Sequence, residues 1–416
     1  MKAFSFTGLW KHGDFLRLWV SETVGAFGRQ VTGLALPTVA ILLLGAGPFE
    51  MGILGSLQML AFPILGLAVG VWVDRWRRRP IMVIANLGRM IALGSIPLAF
   101  MFGILGLYQL YLVAAVVGVF TVFFDVAYQS YLPALIDRAD LVEGNAKLET
   151  SQSAAQVGGP ALAGFLIQMV GGARAIAADA AAFLVSALFL WSIKKEEPSP
   201  SSSSSDTDPS FLLELKEGAQ VVFKNPTLTR IAGCTATSNF GASMSFTVFL
   251  IFVYDQLLLS AEVIGIVFGL ASIALLIGAI LASRVAKAIG LGRALALSTL
   301  LFGISTLGLP FALFGSPILV LVVFHMIGNF GLPIYNINQV SLRQAITPDR
   351  LQGRMNATMR TIVWGTIPVG SFIGGTLGAQ IGIVWTIVVG GAMTAMAVVW
   401  IIFGPVISMK KSPEPF

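Results

Sequence analysis

The sequence predicts an all-α membrane protein of twelve transmembrane helices in two related six-helix bundles, and three observations carry that prediction. Hydrophobic residues make up 56% of the 416-residue chain and charged residues only 11%, against about 25% charged in soluble domains. The apolar residues fall into blocks near the ~20 residues that cross about 30 Å of hydrocarbon. A short motif that follows the fourth block also returns after the tenth.

The blocks run over residues 18–44, 51–73, 80–102, 107–128, 145–170 and 173–193, and then over 228–254, 263–282, 294–314, 318–339, 356–380 and 383–403. Each is helical by length and by the small, apolar residues it repeats. The N-terminal stretch carries Lys2, Lys11 and Asp14 without a small-residue cleavage pattern, so no signal peptide is expected. With the N-terminus in the cytoplasm, all of the 26 Lys and Arg residues lie inside except Arg174, outside, and Arg29, Arg89 and Arg360, within spans. That asymmetry predicts a multi-pass membrane protein with both termini cytoplasmic. It also accounts for the net charge of +6 without a nucleic-acid partner. Cys234, the only cysteine, sits in an apolar block, which excludes an intrachain disulfide and predicts a packing role.

The predicted organisation is an N-terminal bundle over 1–193, a cytoplasmic linker over 194–227 and a C-terminal bundle over 228–416. The linker contains five consecutive serines, which bury nothing. Phe211, Leu212, Leu215, Ala219 and Val222 then recur at helical spacing opposite Glu214, Glu217 and Lys224. This predicts a short amphipathic helix ahead of Pro226, serving as a packing strut or lying on the membrane. Gln129 to Leu141 resembles Gln339 to Leu351, and both runs precede an Asn-Ala pair, Asn145-Ala146 and Asn356-Ala357. A parallel repeat of six spans generates two bundles about an axis along the membrane normal, the geometry of alternating access.

After the second span stands Gly70-Val71-Trp72-Val73-Asp74-Arg75-Trp76-Arg77-Arg78-Arg79. Topology alone needs the arginines but not the acid, and a carboxylate at a helix end can form a breakable latch with an arginine or a helix N-terminus. The run resembles the signature loop of the major facilitator superfamily, G-x-x-x-D-R-x-G-R-R, with Arg77 at the second glycine. The resemblance implies a gating loop of Gly70, Asp74, Arg75 and Arg78. Span five contains Gly158-Gly159-Pro160-Ala161-Leu162-Ala163-Gly164, similar to the antiporter motif of drug exporters in that superfamily. Gly159, Pro160 and Gly164 are the residues that match, and close small-residue packing explains the same segment. Phe124-Asp125-Val126-Ala127-Tyr128-Gln129, Asp179-Ala180 and Asn356-Ala357-Thr358-Met359-Arg360 resemble the bacterial efflux branch that includes macrolide and siderophore exporters. The fold implied is the major facilitator fold. No arginine stands in span four, where a sister branch carries one, so a coupling scheme built on that residue does not transfer.

A charge at the bilayer centre costs about 2.5–3.5 kcal/mol or more, so each one is expected to face a partner or a wet cavity. Glu22 and Arg29 lie two turns apart on one face of span one. Asp125, Asp179 and His325 sit in spans four, six and ten, with Arg89 and Arg360 as possible partners of the acids. The proton-coupling candidates are Glu22, Asp125, Asp179 and His325. For Asp125 an interdomain salt bridge is the competing reading, and for His325 a hydrogen bond to a neighbour is favoured. The substrate-cavity candidates are Arg29, Phe27, Gln58, Asn239, Tyr335, Arg360 and Trp364, an aromatic and sparsely polar set suited to bulky amphipathic ligands.

The function expected is proton-coupled export of amphipathic small molecules, drug-, antibiotic- or siderophore-like, by a monomeric antiporter contributing to multidrug resistance. A facilitator or importer of a polar nutrient and a transporter-like membrane sensor are the alternatives. The sequence holds no metal cluster, no nucleophile with a base and no phosphate-cradling loop. No catalytic residue, metal or cofactor is therefore expected, and the partners are the small-molecule substrate, protons and the bilayer.

Overall fold

A computed structural model describes residues 8–137, 140–197 and 211–410. Twelve helices there are long and apolar enough to cross a membrane, and they form an all-α protein of two six-helix bundles. In chain order the helices are α1 (Gly13–Thr38), α2 (Pro48–Arg75), α3 (Arg78–Met101), α4 (Leu107–Leu135), α5 (Leu141–Val170) and α6 (Gly172–Trp191). The linker helix α7 (Phe211–Lys224) precedes α8 (Pro226–Ile251), α9 (Ala261–Ile289), α10 (Leu291–Gly308), α11 (Pro317–Ile346) and α12 (Asp349–Ile381). The twelfth apolar block is two pieces, α13 (Ile383–Met396) and α14 (Val398–Ile402), broken at Ala397. The serine run of the linker lies outside the described residues.

The chain clusters into two compact units. The first comprises residues up to 44, 64–204 and 264–266; the second comprises 45–63, 205–263 and 267–416. Helix α2 thus changes unit at Pro63. Within the first unit α1 packs on α5 and α6, and α3 packs on α4 and α6. Within the second, α8 packs on α12 and α13, and α10 packs on α11 and α13.

Helix α3 shows why such a sequence folds in lipid. Ile84, Ile91 and Leu98 are 60%, 66% and 57% exposed, whereas Asn86 and Arg89 are 0% and 1% exposed. Polar groups point inward and aliphatic groups outward, the reverse of a soluble helix. Packing inside each unit depends on small residues, because lipid supplies no hydrophobic drive between helices. The α12 glycines Gly370, Gly374 and Gly378, one turn apart, pass against Phe240, Met244 and Val248 of α8, also one turn apart.

Three helix pairs, α5–α6, α9–α10 and α12–α13, are joined by one residue each: Gly171, Gly290 and Gly382, at φ 82°, 92° and 88° with ψ near 150–160°. That backbone region is open only to glycine, so the sequence needs glycine at these links. A second repeated device is a widened π turn, Val39–Leu43 after α1 and Phe252–Gln256 after α8. It sits at the same place in each half and often marks functional positions.

Helix α7 is a packing strut, one of its two expected roles. Val222 is fully buried in a core with Leu228, Ile231, Met355 and Met359. Gly218 lies against Arg354 and Thr358 of α12, and Glu217 forms an ion pair with Arg354. The side chains of residues 211–216 lie outside the described ones. Cys234 has the packing role expected, fully buried with Sγ 3.6 Å from Thr299 Oγ1.

Candidate functional site

The first unit gathers ionisable residues from four helices. Glu22 and Arg29 come from α1, Arg89 from α3, Asp125 and Tyr128 from α4, and Asp179 from α6. Helical periodicity places Glu22 and Arg29 on one face of α1. Both are half-buried, as are Asp125 and Tyr128, while Arg89 and Asp179 lie behind them at 1% exposure each. Glu22, Arg29, Asp125 and Asp179 all act electrostatically on Arg89.

Arg89 is held on three sides. Its guanidinium carbon lies 4.4 Å from the ring centre of Phe124 and 4.2 Å from that of Phe183. The two rings thus offer their negative faces to the cation. Its Nη2 donates to Asn86 Oδ1. The Asn86 Nδ2 donates to Ser186 Oγ at 2.7 Å, and Ser186 Oγ lies 2.6 Å from Ser21 Oγ on α1. One polar chain therefore ties α3, α6 and α1 at the height of the charges. Nε and Nη1 of Arg89 find no hydrogen-bond acceptor among the described residues, and neither does Glu22 Oε1 find a donor. Buried polar atoms in that state are uncommon and mark sites where something else binds or titrates.

Arg29 is held loosely by comparison, through one 3.4 Å bond from Nη2 to Gln152 Oε1 of α5. Asp179 reaches α1 only because residue 28 is glycine: a Cβ there would overlap the Asp179 carboxylate and approach Ala182 Cβ to 2.8 Å. Gly28→Ala is accordingly expected to cost about 1–3 kcal/mol, read as a lower melting temperature of the purified protein. An unchanged melting temperature would contradict this packing. The antiporter-like segment is a close seam of the same unit. Gly159 makes room for the Gln30 side chain, and a Cβ on Gly265 would meet the Pro160 carbonyl and Gly164 Cα.

The remaining candidates divide. Phe27 lies half-buried on α1 near Gly158. The second unit holds Gln58, Asn239, His325, Tyr335, Arg360 and Trp364. Arg360 stacks over the Trp364 ring at 4.9 Å, Phe62 meets that ring edge-on at 4.7 Å, and Asn239 donates to the Val363 carbonyl. Gln58 is half-buried on α2. Tyr335 is buried, its hydroxyl 2.7 Å from Thr235 Oγ1. His325 makes the hydrogen bond favoured for it, with Nδ1 2.9 Å from the Leu321 carbonyl, and packs against Phe249 and Phe268. A cavity of about 560 Å³ lined by Glu217, Lys224, Asn225 and Arg350 contains none of the nominated residues.

In the expected gating loop, Arg78 pairs with Glu197 at 3.4 Å, and the backbone amides of Arg78 and Arg79 donate to the same carboxylate at 2.9 and 3.2 Å. Glu197 thereby caps the positive N-terminus of α3. Arg75 is exposed and Gly70 half-buried; the Asp74 side chain lies outside the described ones. Arg89, which the sequence offers only as a possible partner for the acids, is the fully buried cation of the group and interacts electrostatically with Glu22, Asp125 and Asp179. A lone arginine amid Ile, Leu and Ala in span three was the available signal.

A family model described as Major Facilitator Superfamily matches residues 18–254 and again 231–415. The chain is similar to the uncharacterized MFS-type transporter YfiS of Bacillus subtilis (strain 168), 25% identical over 387 residues that cover 92% of this chain and 90% of that protein. It is also 25% identical to the multidrug efflux pump Tap of Mycolicibacterium fortuitum over 386 residues, 90% of this chain and 91% of Tap. A crystallised mutant of the nucleoside transporter NupG superposes with a TM-score of 0.74 over 94% of this chain and 99% of its own, at 13% identity, a likeness of fold alone.

Proposed function

This chain belongs to the Major Facilitator Superfamily, and we propose that it is a proton-coupled exporter of amphipathic small molecules. The carrying observation is the cluster in the first unit, where carboxylates from three helices share a largely dehydrated space with two arginines. Proton coupling requires carboxylates that can be charged or neutral in the membrane without unfolding the protein. Glu22 and Asp125, half-buried, are the exchanging groups in this reading, and Asp179 stands behind them.

Export as the direction is supported by the likeness to Tap, a multidrug efflux pump, and by the close α5 seam through Gly159, Pro160 and Gly164. The aromatic lining suits bulky ligands: Arg360 over Trp364 and Phe62 beside it present flat apolar surface with few fixed polar groups. In the same reading the protein is a monomer of a bacterial cytoplasmic membrane with both termini cytoplasmic.

The test is accumulation of a macrolide, a tetracycline and a siderophore in efflux-deficient cells expressing the protein, with and without a protonophore. Lower accumulation that the protonophore abolishes is the expected result. Uptake of a nucleoside or sugar instead, with no effect on the first panel, would overturn export in favour of import.

A further inference from the structure

The cluster contains three acids, Glu22, Asp125 and Asp179, and two arginines, so with every group ionised it carries one surplus negative charge. The two cations are not equivalent. Arg29 is half-buried and makes one long bond to Gln152, so its head can swing. Arg89 is buried between Phe124 and Phe183 and tethered through Asn86 and Ser186 to Ser21, so its head is fixed while its Nε and Nη1 stay open.

We propose that Arg89 is the fixed counter-charge of the α1, α4 and α6 acids, a positioning residue that sets how many protons the cluster holds without touching the cargo. The charged groups acting on it are Glu22 and Arg29 from α1, Asp125 from α4 and Asp179 from α6. In a dehydrated setting the cluster resists net charge, because desolvated charges lose hydration and are screened little. With Arg89 present, one proton offsets the surplus; without it, two are needed. Arginine suits the task because its planar head stacks on both rings and never loses its charge.

This inference rests on the cluster as a titrating site but not on the direction of transport, so the test needs no cargo. Melting temperature is measured against pH from 5 to 9 for the purified full-length protein in lipid nanodiscs. The slope of stability with pH counts protons bound on folding. Arg89→Met is expected to change the shape of the curve, extending the stable range toward acid and lowering stability most at high pH. Arg89→Met combined with Asp179→Asn restores the net charge and is expected to return the wild-type shape. Asp179→Asn alone is expected to shift the curve the opposite way, which keeps the test decisive if Arg89→Met does not fold. A uniform drop at every pH, unrepaired by Asp179→Asn, would show that Arg89 only fills space between the rings and would overturn the proposal. No export of the drug panel by the wild-type protein, with these shifts intact, would refute the exporter reading and leave this one standing.

Discussion

Glu22→Gln is expected to reduce proton-driven efflux by about tenfold or more, the rate equivalent of about 1.4 kcal/mol. The substitution keeps the shape of the side chain and removes only its ability to ionise. Glu22 is half-buried on α1, its Oε1 without a hydrogen-bond donor among the described residues, and it interacts electrostatically with Arg29, Arg89 and Asp125. A carboxylate so placed is costly in the membrane unless it is used, since a satisfied structural acid finds donors for its lone pairs. The measurement is substrate-induced proton release from inverted membrane vesicles, compared between wild type, Glu22→Gln and Asp125→Asn. Downhill exchange of substrate is expected to survive in Glu22→Gln while uphill efflux is lost. Wild-type efflux in both variants would remove the two acids from the coupling role.

Gly375→Leu is expected to abolish transport and lower the melting temperature. In the second unit the first half of α2 crosses α12 at paired glycines. A Cβ on Gly52 would stand 2.8 Å from Gly375 Cα and 3.1 Å from the Ser371 carbonyl, and one on Gly375 would meet Gly52 Cα and the Pro48 carbonyl. These neighbours are backbone, which cannot turn aside as a flexible side chain can. Nearby, Ser56 Oγ donates to the Pro368 carbonyl at 2.8 Å, a bond that needs the same approach. Overpacking of this kind costs about 1–3 kcal/mol when a core can adjust, and two helix backbones adjust little. Detergent-solubilised protein scored by thermal unfolding, together with the accumulation assay, checks it. A leucine tolerated in both assays would show that the crossing is loose.

The twelve helices were legible because lipid imposes a coarse rule: every backbone polar group must be satisfied within its own segment, and about 20 apolar residues do that. The linker strut was legible from its helical spacing ahead of Pro226. Helix ends were less so. The chain continues as helix past the apolar blocks, α4 through Pro133 to Leu135 and α12 from Asp349, seven residues before its block. Water tolerates helix as well as loop there, and hydropathy carries no mark of the difference. The break at Ala397 and the π turns after α1 and α8 were also silent, since both follow from how neighbouring helices pack.

The candidate site divides along the same line. An ionisable residue inside an apolar block is conspicuous in any sequence, so Glu22, Arg29, Asp125, Asp179 and His325 stand out one by one. Their company does not, because α1, α3, α4 and α6 are separated by dozens of residues and pairing depends on helix rotation and contact. Only the tertiary structure set His325 among Phe249 and Phe268, Tyr335 on Thr235, and Asp179 against Gly28. Composition and block length by themselves determined the solvent and the number of crossings, because these follow from transfer free energies summed over each segment, and the repeat of Gln129 to Leu141 at Gln339 to Leu351 gave the two related halves. The packing of the helices decided that Arg89, boxed between two phenylalanine rings, shares its surroundings with Glu22, Asp125 and Asp179, because electrostatics depends on distances of a few ångströms that no local pattern encodes.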